Sequence, residues 1–230
     1  MPRPVLYVLA GVNGAGKSSI GGHLFKAQGM PWFNPDDFAR ELRDATGCPQ
    51  QDANAQAWKE GMRRFDAAMR DGADFAFETT LGGVSVPKRI HAAAATHDVL
   101  VWFAGLDSPE KHIARVALRV GAGGHPIPEA KIRERYPAAL ANLVALMPAI
   151  AHLQVHDNSV DVARGKPVPD PLLVLEMIDG EVMYPARAVD LARTPEWAKP
   201  LVEAALELAE SRATPAPAKQ KPAKRATRKA

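Results

Sequence analysis

Residues Gly11-Val12-Asn13-Gly14-Ala15-Gly16-Lys17-Ser18 follow the spacing G-x-x-x-x-G-K-[ST], the pattern of a loop that wraps the phosphates of a nucleoside triphosphate. Gly11, Gly14 and Gly16 let the backbone approach the phosphates in conformations that a Cβ would block. Backbone N–H groups along Gly11, Asn13, Gly14, Ala15, Gly16, Lys17, Ser18 and Ser19 then face the phosphate oxygens, aided by the positive end of the helix that follows. Lys17 supplies a cation for the β- and γ-phosphates, and the Ser18 hydroxyl is placed to bind Mg²⁺. The sequence therefore predicts ATP and Mg²⁺ as cofactors.

Further residues lie where a phosphoryl-transfer site needs them. Asn34-Pro35-Asp36-Asp37 follows a short apolar run, and in parallel sheets the carboxyl ends of strands line the ligand crevice. Asp36 there can accept a proton from a substrate hydroxyl, or bind Mg²⁺ through water. The alternative is that Asn34 or Asp36 caps a helix with Pro35 in its first turn. Phe75-Ala76-Phe77-Glu78-Thr79-Thr80 ends an apolar run on an acid, which is costly to bury without a cation or donors. Glu78, with Thr79 beside it, is a candidate contact for substrate or Mg²⁺. Arg115 and Arg119 are four apart on one predicted helix and share a face, and guanidinium groups stabilise charge spread over a moving phosphoryl group. Gly121-Ala122-Gly123-Gly124-His125-Pro126-Ile127-Pro128 reads as a shaped lid loop. Lys131, Arg133 and Arg135 flank it.

These residues need a sheet to hold them. The chain alternates strand and helix patterns, which predicts an α/β fold with a mostly parallel sheet and helices on both faces. Predicted strands cover 5–10, 31–34, 75–79, 99–106 and 153–156. Predicted helices cover 17–28, 53–70, 86–96, 109–120 and 128–149, with Pro137 expected to kink or split the last. The runs 172–178 and 181–184 flank Asp179-Gly180, a hairpin signal. A helix over 194–209 follows, with Thr194 as N-cap and Pro195 in the first position.

Composition sets the outer bounds. The chain has 230 residues and a net charge of +3, enough for one α/β domain with a full core. Residues 211–230 contain seven basic side chains and no acid, which leaves residues 1–210 at −4. We therefore divide the chain into a domain over 1–210 and a basic, disordered Ala/Pro/Lys/Arg tail over 211–230. The tail is expected to adhere weakly to polyanions. No apolar run approaches the ~18 residues that span a membrane. Cys48 is the only cysteine, so no intrachain disulfide forms. These features predict a cytoplasmic protein. No N-K-x-D motif appears, and no strand ends in four aliphatics plus Asp-Glu, so GTPases and motor ATPases are disfavoured and a small-molecule kinase remains. A nucleic-acid-associated ATPase or nucleotide-dependent switch that docks through the tail is the alternative. The core lacks the aromatic-plus-basic face that would support it.

Taken together, G-V-N-G-A-G-K-S-S, F-N-P-D-D-F-A, F-E-T-T-L, A-R-V-A-L-R-V-G-A-G-G-H-P-I-P, I-R-E-R-Y, A-N-L and H-D-N-S, in that order, resemble the zeta-toxin family of phosphate-loop kinases, and in particular its stand-alone branch of predicted ATPases. The resemblance runs from about Val5 to Ser159. It implies transfer of the ATP γ-phosphate to a sugar hydroxyl, in characterised members the 3′-hydroxyl of a UDP-N-acetyl amino sugar. By the same resemblance Asp36 falls at the general base, Glu78 at a substrate-contacting acid, and Arg119, with Arg115 or Arg133, in the charge-stabilising lid. Val12 stands where the family commonly has proline. Ten residues precede Gly11, so the extension through which the toxin of the paired system meets its antitoxin is expected to be missing.

Overall fold

A computed structural model describes residues 2–18, 32–162 and 169–213. The predicted helix over 17–28, Ser19 and the tail beyond Ala213 fall wholly or largely outside the described residues, and of the strand predicted over 31–34 the described residues 32–34 form only a single bridge, at Phe33. Within them the chain forms a six-stranded sheet in the order β2-β1-β3-β4-β5-β6. The strands are β1 (Val5–Ala10), β2 (Phe75–Thr79), β3 (Asp98–Gly105), β4 (His152–Asp157), β5 (Leu172–Ile178) and β6 (Glu181–Tyr184). β1 pairs in parallel with β2 and β3, and β3 pairs in parallel with β4. β5 and β6 are antiparallel additions joined by the Asp179-Gly180 turn. The α/β fold and its mostly parallel sheet are those the sequence predicts. Phe33 adds one bridge beyond β2: its N–H donates to Ala76 O at 2.8 Å, and Glu78 N–H donates to Phe33 O at 2.9 Å. That bridge sets Asn34 and Glu78 side by side at one end of the sheet.

The helices are α1 (Pro35–Thr46), α2 (Gln50–Asp71), α3 (Ser85–Ala93), α4 (Pro109–Gly121), α5 (Glu129–Leu146), the short α6 (Ala188–Leu191) and α7 (Lys199–Ala213). α4 begins on a sequence-legible cap: the Ser108 hydroxyl accepts from Lys111 N–H and Pro109 opens the first turn. The core joins Leu6, Val8, Val101, Phe103, Leu153, Val155 and Leu175 of the sheet to Phe65, Ile90, Val116, Leu143 and Leu201 of the helices. Phe65 of α2 meets Phe75 and Phe77 edge-on, with ring centroids 6.0 and 5.7 Å apart. Among the described residues no helix is long and apolar enough to cross a membrane.

Four elements differ from the sequence prediction. α1 is a full helix where the sequence suggested only a cap. Pro137 lies inside α5, which stays one continuous helix, because Ile132 before it and Ala139 and Leu143 after it are all buried in the core. The helix expected over 194–209 starts later. Glu196–Ala198 forms a 3₁₀ turn and α7 begins at Lys199, since Pro200 has no N–H and fits only a first turn. The boundary at 210 is also too early. α7 runs to Ala213, and Arg212 donates to Asp179 O at 2.7 Å and Pro148 O at 2.9 Å. The tail's first arginine is thus part of the folded domain.

Candidate active site

The loop after β1 is shaped by what surrounds it. Gly11 and Gly14 have φ of 139° and 86°, and a Cβ at either would come within 2.2 Å of Ala104 O or 2.7 Å of His112 O. Glycine is therefore required by both conformation and space. Three side chains from distant elements hold the loop. His112 Nδ1 lies 2.8 Å from Asn13 O. A carbonyl only accepts, so that nitrogen carries the proton. Asn158, just past β4, donates to Ala15 O at 2.8 Å, and Arg135 of α5 donates to Asn13 Oδ1 at 2.8 Å. Burial pushes His112 down to about 4, with the Lys17 and Arg115 charges adding to the effect against the bond to Asn13. The imidazole is neutral at neutral pH and acts as a fixed strut.

Lys17, Ser18, Asn34 and Glu78 converge beneath this loop. Glu78 is 8% exposed and Lys17 5%, so neither charge is solvated by bulk water. Lys17 Nζ lies 3.5 Å from Glu78 Oε1. The Ser18 hydroxyl is 3.0 Å from Glu78 Oε2, and Asn34 Nδ2 donates to the same oxygen at 3.2 Å. Cation and donors thus offset the cost of burying the carboxylate at the end of β2. Asn34 does two jobs. Its Oδ1 accepts from Asp36 N–H at 2.9 Å and Asp37 N–H at 3.4 Å, which caps α1. Capping therefore falls to Asn34, and the Asp36 side chain is left free for other contacts.

Asp36 is half exposed and lies between two clefts. One, of about 430 Å³, is bounded by Lys17, Asp36, Glu78 and Thr79 at one end and by Phe33, Trp58 and Met62 further along. The other, of about 580 Å³, is bounded by Ser18, Asp36, Arg40, Arg43, Arg119 and His125. Asn34, Asp36 and His125 belong to both. Arg119 Nη1 is 4.0 Å from Asp36 Oδ2, while its Nε and Nη2 are buried without a hydrogen-bond partner. Gly124 N–H donates to Arg119 O at 2.9 Å, which fixes the lid loop at the end of α4.

The structure brings Lys17, Ser18, Asp36, Glu78, Thr79 and Arg119 together. It places two other predicted residues elsewhere. Arg115 donates to Val160 O at 2.9 Å and lies 3.5 Å from Asp161, so it braces the segment after β4 together with Lys111. Arg133 pairs with Glu110 at 2.5 Å and borders neither cleft. Arg135, two residues on and therefore turned to another face of α5, is the arginine that reaches the cleft. Sequence reasoning gave no role to His112 or Trp58. His112 carries a helical signal, since it shares a face with Val116 and Arg119, but its loop partner is 99 residues away.

Residues 6–136 match the model of a family described as an AAA domain, AAA_33. An uncharacterized protein of Haemophilus influenzae is 29% identical over 129 residues, covering 55% of this chain and 88% of the relative. Among solved structures, AvrRxo1-ORF1:AvrRxo1-ORF2 with sulphate ions is similar at a TM-score of 0.58 and 17% identity, covering 84% of this chain and 65% of that chain. This chain thus spans just under two thirds of that relative. The PezAT chromosomal toxin–antitoxin system of Streptococcus pneumoniae is similar at a TM-score of 0.54 and 18% identity, with 92% and 86% covered. At these identities the likeness shows a shared α/β fold, in agreement with the fold expected from the sequence.

Proposed function

The chain belongs to the AAA_33 family, described as an AAA domain, and from that premise we propose that it is an ATP-dependent kinase acting on a hydroxyl of a small molecule, specifically a sugar nucleotide such as UDP-N-acetylglucosamine. The observation that carries the reading is the convergence of Lys17, Ser18 and Asn34 on the Glu78 carboxylate, each within 3.5 Å of it at the sheet end, with Asp36 alongside at the meeting of two clefts.

The donor set fits Mg²⁺. The Ser18 hydroxyl and the Glu78 carboxylate are hard oxygen donors 3.0 Å apart. Among the described residues no group of three or more His, Cys, Asp or Glu forms a metal cage. That is the arrangement Mg²⁺ favours, with one or two protein oxygens and the rest from nucleotide and water. Held by the Ser18 hydroxyl and the Glu78 carboxylate, a bound ion would supply charge neutralisation to the nucleotide phosphates. The chain's own residues do the remainder. Backbone N–H groups and Lys17 hold the phosphates. Asp36 takes the proton of the acceptor hydroxyl as its oxygen bonds to the γ-phosphorus and the bond to ADP breaks. Arg119, whose Nη1 lies 4.0 Å from Asp36 at the cleft, meets the charge on the moving phosphoryl group.

Pure protein incubated with labelled ATP, Mg²⁺ and a panel of sugar nucleotides, nucleosides and amino sugars, with products scored by mass, tests the reading. A phosphorylated sugar nucleotide is expected; ATP hydrolysis with no phosphorylated acceptor would overturn it. The PezAT relative is a toxin–antitoxin system. Growth arrest on expression that Lys17→Ala relieves is the result to obtain before any antitoxin-like partner is sought.

A further inference from the structure

The 430 Å³ cleft changes character along its length. At the sheet end it presents Lys17, Asp36, Glu78 and Thr79; along α2 it presents Asn54, Ala57, Trp58, Gly61 and Met62. That stripe follows helical spacing, so one face of α2 forms a continuous wall. Ala57 is buried, and Gly61 packs so tightly on Phe33 that a Cβ would lie 2.6 Å from the ring. Between these small residues and Met62, Trp58 stands 49% exposed and belongs to neither hydrophobic cluster of the core. A half-exposed indole on the wall of this cleft offers a flat apolar surface between its polar ends. Two cations, Lys131 and Arg135, border the same cleft. Lys131 is held by Glu134, and Arg135 spends one nitrogen on Asn13. The volume suits a nucleotide-sized molecule.

We propose that Trp58 is the specificity-determining residue of the acceptor cleft: it stacks on a planar heteroaromatic ring of the acceptor, while the acceptor's hydroxyl lies at the Asp36 end and its phosphates face Lys131 and Arg135. The inference rests on the kinase reading for the identity of the acceptor cleft, and it adds which residue reads the base. Stacking on an aromatic side chain tolerates any flat ring and contributes enough for about a tenfold to hundredfold change in affinity. A leucine side chain keeps a smaller apolar contact and loses the plane. The cleft therefore rejects a free sugar, which leaves the indole uncovered, in favour of the same sugar carrying a base.

The test uses the full chain with ADP and Mg²⁺ present, in three forms: wild type, Trp58→Phe and Trp58→Leu. Three probes are titrated by calorimetry: UDP-N-acetylglucosamine, uridine monophosphate as the ring with one phosphate, and N-acetylglucosamine 1-phosphate as the sugar without a ring. Both ring-bearing probes are expected to bind Trp58→Phe within about threefold of wild type and Trp58→Leu at least about tenfold more weakly. The ring-free probe is expected to bind all three forms alike, and ATP affinity is expected to be the same in all three. Equal binding of uridine monophosphate to wild type and Trp58→Leu would overturn the proposal. So would an equal loss for the ring-free probe, or failure of both ring-bearing probes to bind at millimolar concentration. Binding and turnover separate the two readings. Ring binding that depends on Trp58 without any phosphorylated product leaves the stacking site standing and removes the kinase assignment. Phosphorylation with an unchanged KM in Trp58→Leu does the reverse.

Discussion

The two halves of the candidate site are built differently. The phosphate cradle is tied from every side: Asn13 by His112 and Arg135, Ala15 by Asn158, and Lys17 and Ser18 by Glu78. The transfer edge is loose. Asp36 and Arg119 are both half exposed, meet at 4.0 Å, and leave two guanidinium nitrogens unpaired. A site assembled before its ligand arrives spends no binding energy on ordering itself. A cation held only loosely at a cleft is drawn in by the charge that develops there. On the proposed kinase reading, the cradle binds and the edge discriminates the transition state from the ground state.

Substitution tests that division, beginning with the largest effect. Lys17→Ala is expected to abolish turnover and sharply weaken ATP binding with the fold retained, because Ser18 and Asn34 still bond to Glu78; calorimetry and circular dichroism check both halves. Undiminished ATP affinity would mean the cradle does not bind the nucleotide. Asp36→Asn is expected to keep ATP binding and reduce transfer by about 10²–10⁴. A variant within about threefold of wild type in single-turnover kinetics would make Asp36 only a first-turn helix residue. Arg119→Ala is expected to lower kcat more than it raises KM, with Arg119→Lys rescuing in part. If KM alone moved, the edge would be a second binding device and the contrast with the cradle would collapse.

Smaller effects concern stability. Burial holds both His112 and His156 down at about 4, below the usual value of about 6.5. The unfolded chain then takes up protons that the folded chain refuses. Stability contributed by these groups is full above pH ~6.5 and is lost as pH falls toward about 4, by about 1.4 kcal/mol per pH unit for each histidine. Urea midpoints from pH 7 to 4 should show that slope, and His112→Gln should reduce it. The smallest effect expected is from deleting residues 214–230, which should leave the Tm unchanged. Starting the cut at 211 should lower it, because Arg212 ties the β5–β6 turn and Pro148 to α7.

How much was legible follows the range of the signals. β1, the glycine loop, β2 and the β5–β6 hairpin were readable because their patterns are complete within about ten residues. Lys17, Ser18, Asp36, Glu78 and Arg119 were singled out because each sits at a strand end or helix end that local pattern locates, and the structure places them around the same two clefts. Arg115 and Arg133 were expected at the phosphates because periodicity gives a face but not the neighbour it meets. Their anchors, Val160 and Glu110, lie 45 and 23 residues away. The struts were out of reach for the same reason: Arg135 meets Asn13 across 122 residues, and Asn142 holds the carbonyls of Leu81 and Gly83 from about 60 residues away. Trp58 was hidden differently, since on a helical wheel an exposed tryptophan looks like one misplaced from the core.

The packing of Trp197 against Gly105 bears on modularity. Gly105 closes β3, and a Cβ there would come within 2.1 Å of the Trp197 ring, so the strand beside the nucleotide loop ends in direct contact with the 3₁₀ turn that leads into α7. The family match stops at residue 136, before β4, β5, β6 and this wedge. A fragment cut at that limit would keep the motif and lose its support. β3 would become a naked edge inviting intermolecular pairing, and Asn158, which grips Ala15, would be gone. The matched segment is thus not an autonomous cassette: grafting it onto another protein would require carrying the last third of the domain with it.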